Sequence, residues 1–147
     1  AMTSHTVNVT PPVVETGFSS ISNDSLKYNP KVQQKTKTRF PEISVVIPVF
    51  NEEDNIGLLY NKLTDALDSL GRSWEAILID DGSTDNSFNK LAEIAGKDER
   101  IKIVRFVKNF GQTAALAAGI DNARGDVIIP MDADLQNDPA DIQRLLD

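Results

Sequence analysis

The 147-residue chain contains no cysteine. A disulfide framework, a thiolate nucleophile and a cysteine-held zinc or iron–sulfur centre are therefore excluded. Its single histidine, His5, rules out a multi-histidine metal site and argues against a Ser-His-Asp triad. No apolar run approaches the ~18 residues that suggest a membrane span. Basic residues are in the minority, 15 against 22 acidic, and the net charge of −7 argues against nucleic acid as a partner. Eight glycines and seven prolines exclude a collagen-like or low-complexity chain. Aromatics are few at 6%, but 40% hydrophobic and 25% charged residues are ordinary for a globular domain with a real core. The chemistry left open is that of carboxylates, hydroxyls, backbone amides or a metal held by oxygen.

The charge is divided unevenly. Residues 1–40 hold five basic side chains (Lys27, Lys31, Lys35, Lys37, Arg39) and two acidic ones (Glu15, Asp24). This stretch has little apolar periodicity and reads as a flexible leader, with Ala1-Met2 as an expression scar. It has no continuous apolar core of a secretory signal. Its basic cluster suits either an anionic membrane surface or, more simply, a solvated linker.

Residues 41–147 read as one domain of alternating strands and helices. Ile43–Phe50 is a β-branched run of the kind buried on both faces of a parallel sheet. Ile56, Leu59, Leu63, Ala66, Leu67 and Leu70 follow at helical spacing, with Asn51 expected as N-cap, Asp54 closing a box-like cap, and Gly71 as a stop. Ala76–Ile79, Ile101–Val107 and Val127–Met131 are expected as further strands. Helices are expected over about 85–95, 112–123 and from Pro139 to Leu146. Strands and helices in this order imply parallel pairing through right-handed crossovers. Ligands of such sheets bind beyond the carboxyl ends of the strands, where this chain places its polar clusters.

Four clusters occupy those ends. Asp132-Ala133-Asp134 sets two carboxylates at i and i+2, pointing the same way on an extended segment and able to converge on one hard cation, with Gln136 adding an amide oxygen. The competing reading is an acidic turn in which Asp138 caps the helix at Pro139. Asp80-Asp81-Gly82-Ser83-Thr84-Asp85 combines a tight turn and a helix cap with two adjacent carboxylates, which a turn alone does not require. Such acceptors suit nucleobase N–H groups or ribose hydroxyls. Asn51-Glu52-Glu53-Asp54 suits the first turn of a helix, while Pro48 and Phe50 at the strand exit can border a flat base. Lys108-Asn109-Phe110-Gly111-Gln112 precedes a small-residue helix suited to close packing, and Lys108 can meet a phosphate or stand as a surface charge.

Together and in this order, Val-Val-Ile-Pro-Val-Phe-Asn-Glu-Glu (45–53), Ile-Asp-Asp-Gly-Ser-Thr-Asp (79–85), Asn-Phe-Gly-Gln-Thr-Ala-Ala-Leu-Ala-Ala-Gly (109–119) and Met-Asp-Ala-Asp-Leu-Gln-Asn-Asp-Pro (131–139) resemble the family-two glycosyltransferases of the GT-A fold. The third and fourth segments resemble the polyprenyl-phosphate branch, which includes dolichyl-phosphate mannose synthases and bacterial undecaprenyl-phosphate glucosyltransferases. The resemblance implies a Rossmann-like, mostly parallel α/β domain with flanking helices. It implies a metal-dependent inverting transfer from a nucleotide-sugar donor, a UDP-sugar before GDP-mannose, to a polyprenyl phosphate at the cytoplasmic face of a membrane.

By the same resemblance, Pro48, Phe50, Glu52, Asp80, Lys108 and Ala133 line the nucleotide site and Asp81 reads the base. Asp132, Asp134 and Gln136 hold Mg²⁺ or Mn²⁺, with Asp132 and Asp134 as the catalytic pair. The chain stops where relatives continue into an acceptor-binding and membrane-attached region, so it is expected to be the nucleotide-binding half of a longer enzyme. Transfer to a glycan is the neighbouring alternative within the family. A non-catalytic receiver-like Mg²⁺ module is a different class, but it requires an Asp ending the third strand, where this chain has Lys108-Asn109.

Overall fold

The computed structural model describes residues 6–7, 40–134 and 138–146. In chain order these form β1 (Thr6–Val7), β2 (Ile43–Val49), α1 (Ile56–Asp68), β3 (Trp74–Asp80), α2 (Ser87–Lys97), β4 (Ile101–Phe106), α3 (Gln112–Asn122), β5 (Val127–Pro130), a 3₁₀ turn (Pro139–Asp141) and α4 (Ile142–Leu146). The strand order is β1-β4-β3-β2-β5. β2 to β5 are mutually parallel, with Val46 opposite Ile77 and Val45 opposite Ile129. β1 pairs antiparallel with β4 through Thr6 and Phe106. These two residues belong to the stretch read as a leader, whose remainder up to Arg39 lies outside the described residues.

Burial explains why β2 and β3 are apolar at nearly every position. Val45, Ile47, Val49, Ala76 and Leu78 face α1 and α2, where they meet Ile56, Leu59, Leu63 and Leu91. Their neighbours Val46, Ile77 and Ile79 face the opposite side, against Ala115 of α3. Alternation along a strand sends consecutive side chains to opposite layers, and here both layers are covered. The small residues of α3 allow close approach: a Cβ on Gly119 would stand 2.2 Å from Val46 Cγ1.

Several expected features differ, and the helix expected from Pro139 is a 3₁₀ turn that becomes α-helical only at Ile142. Helix α1 begins at Ile56 with Asn55 as its N-cap and no side-chain cap bond, so Asn51 and Asp54 do not form the expected cap. Asn51 is engaged instead with the next loop, described below. The second strand is longer than expected, because Trp74 and Glu75 also pair, with Ile43 and Ser44. Helix α1 ends at Asp68 with Ser69 as its C-cap, short of the expected stop at Gly71, which stands at φ +66° in the turn that follows. Asp138 does cap the turn at Pro139, its Oδ1 accepting from Ala140 N at 3.0 Å.

The chain runs from β2 outward through β3 to β4, then returns to lay β5 on the other side of β2. That reversal opens a crevice at the carboxyl ends of β2 and β5, where open α/β sheets bind ligands. Among the described residues no helix is long and apolar enough to cross a membrane.

Candidate nucleotide and metal site

A cavity of about 350 Å³ lies at this reversal. Pro48, Val49, Phe50 and Glu52 supply the β2 side, Asp81 the β3 end, Asn109, Gly111 and Gln112 the β4–α3 connection, and Asp132, Ala133 and Asp134 the segment after β5. Seven expected site residues thus share one cavity: Pro48, Phe50, Glu52, Asp81, Asp132, Ala133 and Asp134.

Asp81 is buried, and its carboxylate organises the floor. Phe110 N donates to Oδ1 at 2.8 Å, while Gly111 N (3.1 Å) and Asn109 Nδ2 (3.2 Å) donate to Oδ2. Its own N–H donates to Val49 O at 2.8 Å, which fixes it to the end of β2. Charge-assisted bonds from main-chain N–H groups are the strong kind, so this carboxylate holds the loop that lines the cavity. Phe110 is set by a perpendicular ring contact with Phe106, centroids 5.5 Å apart.

Asp80 is oriented differently. It is fully buried as the last residue of β3, and its Oδ1 accepts from Ser83 N at 3.1 Å. Its Oδ2 has no hydrogen-bond partner among the described residues, and Arg105 Nε lies 3.8 Å away. Alternation along the strand places it away from the cavity that Asp81 enters. Lys108 is not part of the lining either; its Nζ sits 5.1 Å from the centre of the Phe110 ring. Gln136 lies outside the described residues.

Gly82 makes this geometry possible. Its φ is +71°, and a Cβ there would stand 2.3 Å from both Lys108 C and Asn109 N. Only glycine accepts that conformation together with so close a backbone. Asp85 then closes the turn, its Oδ1 accepting from Ser87 N at 2.9 Å and its Oδ2 from Glu53 N at 3.2 Å. Burial alone would raise its pKa, but the Ser87 hydroxyl and these N–H groups outweigh burial and hold it below the ordinary value.

Gln112, the first residue of α3, donates Nε2 to Asp132 Oδ1 at 3.1 Å. Val49, Asn109, Gly111 and Gln112 were not assigned to the site from sequence, although all but Val49 fall in the motif that begins at Asn109. The signal for Asn109, Gly111 and Gln112 is position, between the end of β4 and the first turn of a small-residue helix. For a divalent ion the donor set fits in kind. Asp132 and Asp134 both face the cavity, and among the described residues no group of three or more His, Asp or Glu side chains converges. An ion held by two carboxylates and completed by substrate oxygens and water is the habit of Mg²⁺.

The profile of the family described as "Glycosyl transferase family 2" matches residues 44–147. The chain belongs to that family.

Among curated relatives, this family-2 chain is 47% identical over 106 residues to the dodecaprenyl-phosphate galacturonate synthase of Rhizobium johnstonii, covering 71% of this chain and 31% of that protein. It is 44% identical to the undecaprenyl-phosphate 4-deoxy-4-formamido-L-arabinose transferase of Salmonella paratyphi B, covering 71% and 32%. The chain therefore spans about a third of the length of these relatives. Solved structures share the fold. Staphylococcus aureus TarS in complex with UDP-GlcNAc superposes with a TM-score of 0.53 at 23% identity, covering 63% of this chain and 26% of that one. A mannosyltransferase from Pyrobaculum calidifontis in complex with GDP-Man and Mn²⁺ gives 0.52 at 24%, covering 66% and 28%.

Proposed function

We propose that this chain is the donor- and metal-binding part of an inverting, metal-dependent glycosyltransferase that moves a sugar from a nucleoside diphosphate to a polyprenyl phosphate at the cytoplasmic face of a membrane. The observation that carries the reading is convergence. An apolar, partly aromatic wall (Pro48, Phe50), a buried acceptor (Asp81) and two carboxylates two positions apart after β5 (Asp132, Asp134) line one cavity. The names of the two curated relatives, a dodecaprenyl-phosphate galacturonate synthase and an undecaprenyl-phosphate 4-deoxy-4-formamido-L-arabinose transferase, support the acceptor class.

The hydrogen-bond inventory of Asp81 favours uracil over guanine. A carboxylate has about four acceptor positions, two on each oxygen. Among the described residues Oδ2 accepts two donors and Oδ1 one, which leaves one position on Oδ1 for a ligand. The single imide N–H of uracil fits that position, whereas guanine presents two donors that call for both oxygens. Pro48 and Phe50 would border the base, Glu52 would receive ribose hydroxyls, and Asp132 and Asp134, with Gln136, would hold the ion. Asp80 and Lys108 are assigned to the same site by resemblance; Asp80 would act from beneath by holding the Ser83 turn.

In the reaction an oxygen of the lipid phosphate attacks the anomeric carbon from the face opposite the diphosphate. The new C–O bond forms as the bond to the diphosphate breaks, and its electron pair departs with the nucleoside diphosphate. A phosphate monoester is already ionised at neutral pH, so no protein base is needed for this attack. A bound Mg²⁺ or Mn²⁺ supplies charge stabilisation to the departing diphosphate. The residues of this chain bind and orient the nucleotide, exclude water from the base, and present carboxylates where the ion belongs.

Calorimetric titration tests the reading. UDP is expected to bind in the presence of Mn²⁺, GDP at least tenfold more weakly, and Asp134→Ala to abolish the Mn²⁺ dependence. Equal affinity for the two nucleotides, or binding indifferent to both Mn²⁺ and Asp134, would refute it.

A further inference from the structure

Asn51 lies between Phe50 and Glu52 but is not part of the cavity wall. Its φ of +50° is the only positive value of a non-glycine residue among those described. Asparagine tolerates this region better than most residues, yet the conformation persists only where its surroundings hold it. Here they do. Asn51 Oδ1 accepts from Thr84 N at 2.8 Å, from Asp85 N at 3.3 Å and from Thr84 Oγ1 at 3.3 Å. In return Asn51 N donates to Ser83 Oγ at 3.0 Å. Two flanking bonds, from Glu52 N to Ser87 Oγ and from Glu53 N to Asp85 Oδ2, continue the seam.

The seam joins the two loops that carry the nucleotide wall. One bears Phe50 and Glu52; the other begins at Asp81. At their roots the loops are already tied by Asp81 N to Val49 O at 2.8 Å, and the seam carries that tie outward past Phe50. We infer that Asn51 is a positioning residue for nucleotide binding: by locking these loops together it presets the distance from the Phe50 wall to the Asp81 floor. The inference rests on the donor-site reading above. Preorganisation of this kind acts on affinity by removing an ordering cost that binding would otherwise carry.

Three substitutions separate the two properties of the residue. Asn51→Asp keeps an acceptor and tolerates the positive φ. Asn51→Gly keeps the φ but has no acceptor, and Asn51→Ala has neither. With the 147-residue chain, UDP and Mn²⁺ titrated well below each melting temperature, Asn51→Gly and Asn51→Ala are expected to bind about tenfold more weakly, and Asn51→Asp within about threefold of the unmodified chain. A purely structural asparagine would lower the melting temperature and leave the dissociation constant of the folded chain unchanged. If Asn51→Ala does not fold, Ser83→Ala takes its place, since it removes only the acceptor for Asn51 N and is expected to weaken binding about threefold. Binding by Asn51→Gly equal to that of the unmodified chain, or Asn51→Asp as weak as Asn51→Gly, overturns the inference and leaves the donor-site reading intact. Failure of the unmodified chain to bind UDP overturns that reading, and the inference with it.

Discussion

Gln112 Nε2 stands 3.1 Å from Asp132 Oδ1, tying the first residue of α3 to the first carboxylate after β5. The bond joins two of the segments that line the cavity. It restricts the rotamer of a carboxylate that would otherwise be free to turn into solvent.

Gln112→Ala is therefore expected to weaken Mn²⁺-dependent UDP binding about three- to tenfold. Stability should change by less than about 0.5 kcal/mol, because the side chain is exposed. Calorimetry and urea unfolding on the same preparation read both quantities.

Asp81→Asn separates a structural carboxylate from a merely acidic one. The substitution leaves one acceptor oxygen where Phe110 N and Gly111 N approach different oxygens, and turns an N–H donor toward the other. A loss of about 2–3 kcal/mol of folding stability is expected, with UDP binding lost beyond it. Urea denaturation measures the first. A stability change below 0.5 kcal/mol would contradict the role assigned to this carboxylate.

The glycines should rank by what a methyl group would strike. At Gly82 it meets main-chain atoms of Lys108 and Asn109 at 2.3 Å, which cannot yield, in a residue at φ +71°. Gly82→Ala should cost about 3 kcal/mol and disturb the Asn109 loop, weakening UDP binding. At Gly119 it meets Val46 Cγ1 at 2.2 Å and Ile79 Cδ1 at 2.6 Å, both in the core and only the second at the end of a flexible side chain, so Gly119→Ala should cost about 2 kcal/mol and spare affinity. At Gly71 space is open and only the φ of +66° opposes, so about 1 kcal/mol is expected. Chemical denaturation of the three variants checks the order.

At the opposite end of the sheet, the Arg100 guanidinium grips Asp98 through Nε and Nη2, both at 2.9 Å, and holds its carboxyl at about 2. Burial opposes this shift, while Arg100 N and the Tyr60 hydroxyl assist it. A carboxyl whose pKa is depressed on folding contributes stability that is complete above its unfolded value, near 3.8, and is lost as pH falls through about 2. Asp98→Asn should thus lower stability by about 2 kcal/mol at neutral pH, and the gap to the unmodified chain should close between about pH 4 and pH 2. Thermal unfolding across that range is the check. A gap that persists unchanged at pH 2 would contradict the assignment.

Much of this was legible because the chain punctuates itself clearly. The runs at Ile43 and Ile101 are β-branched and bounded by polar turns, so strand existence followed from local chemistry. Their parallel arrangement followed from the intervening helices. The cavity's place followed from the same alternation, since strand ends carry the polar clusters. What local reasoning missed were relations between distant residues. Asn51 looked like a helix cap because its partners, Thr84 and Asp85, lie more than thirty positions away. Local chemistry alone did not tell Asp80 from Asp81, and only resemblance gave the base to Asp81; a strand sends neighbours to opposite sides, and the register against Val49 decides which enters the crevice. Gln112 carried no mark of its own; it becomes relevant only once β5 returns to lie beside β2.

That return has a consequence for how the site comes into being. Gly125 N reaches Ser44 Oγ at 2.7 Å across 81 residues of chain, whereas β2, β3 and β4 are joined by single helical crossovers. Contacts of greater sequence separation carry a larger closure entropy and tend to form later. The base-facing half of the cavity is thus the early half, assembled with β2 and β3, and the carboxylate corner at Asp132 is the late one. Pulse-labelled hydrogen exchange during refolding should protect the amides of Ile77 and Leu78 before that of Met131, whose N–H closes on Val46 O only when β5 docks. A nascent chain would in that case carry a nucleobase wall before it has any place to hold an ion.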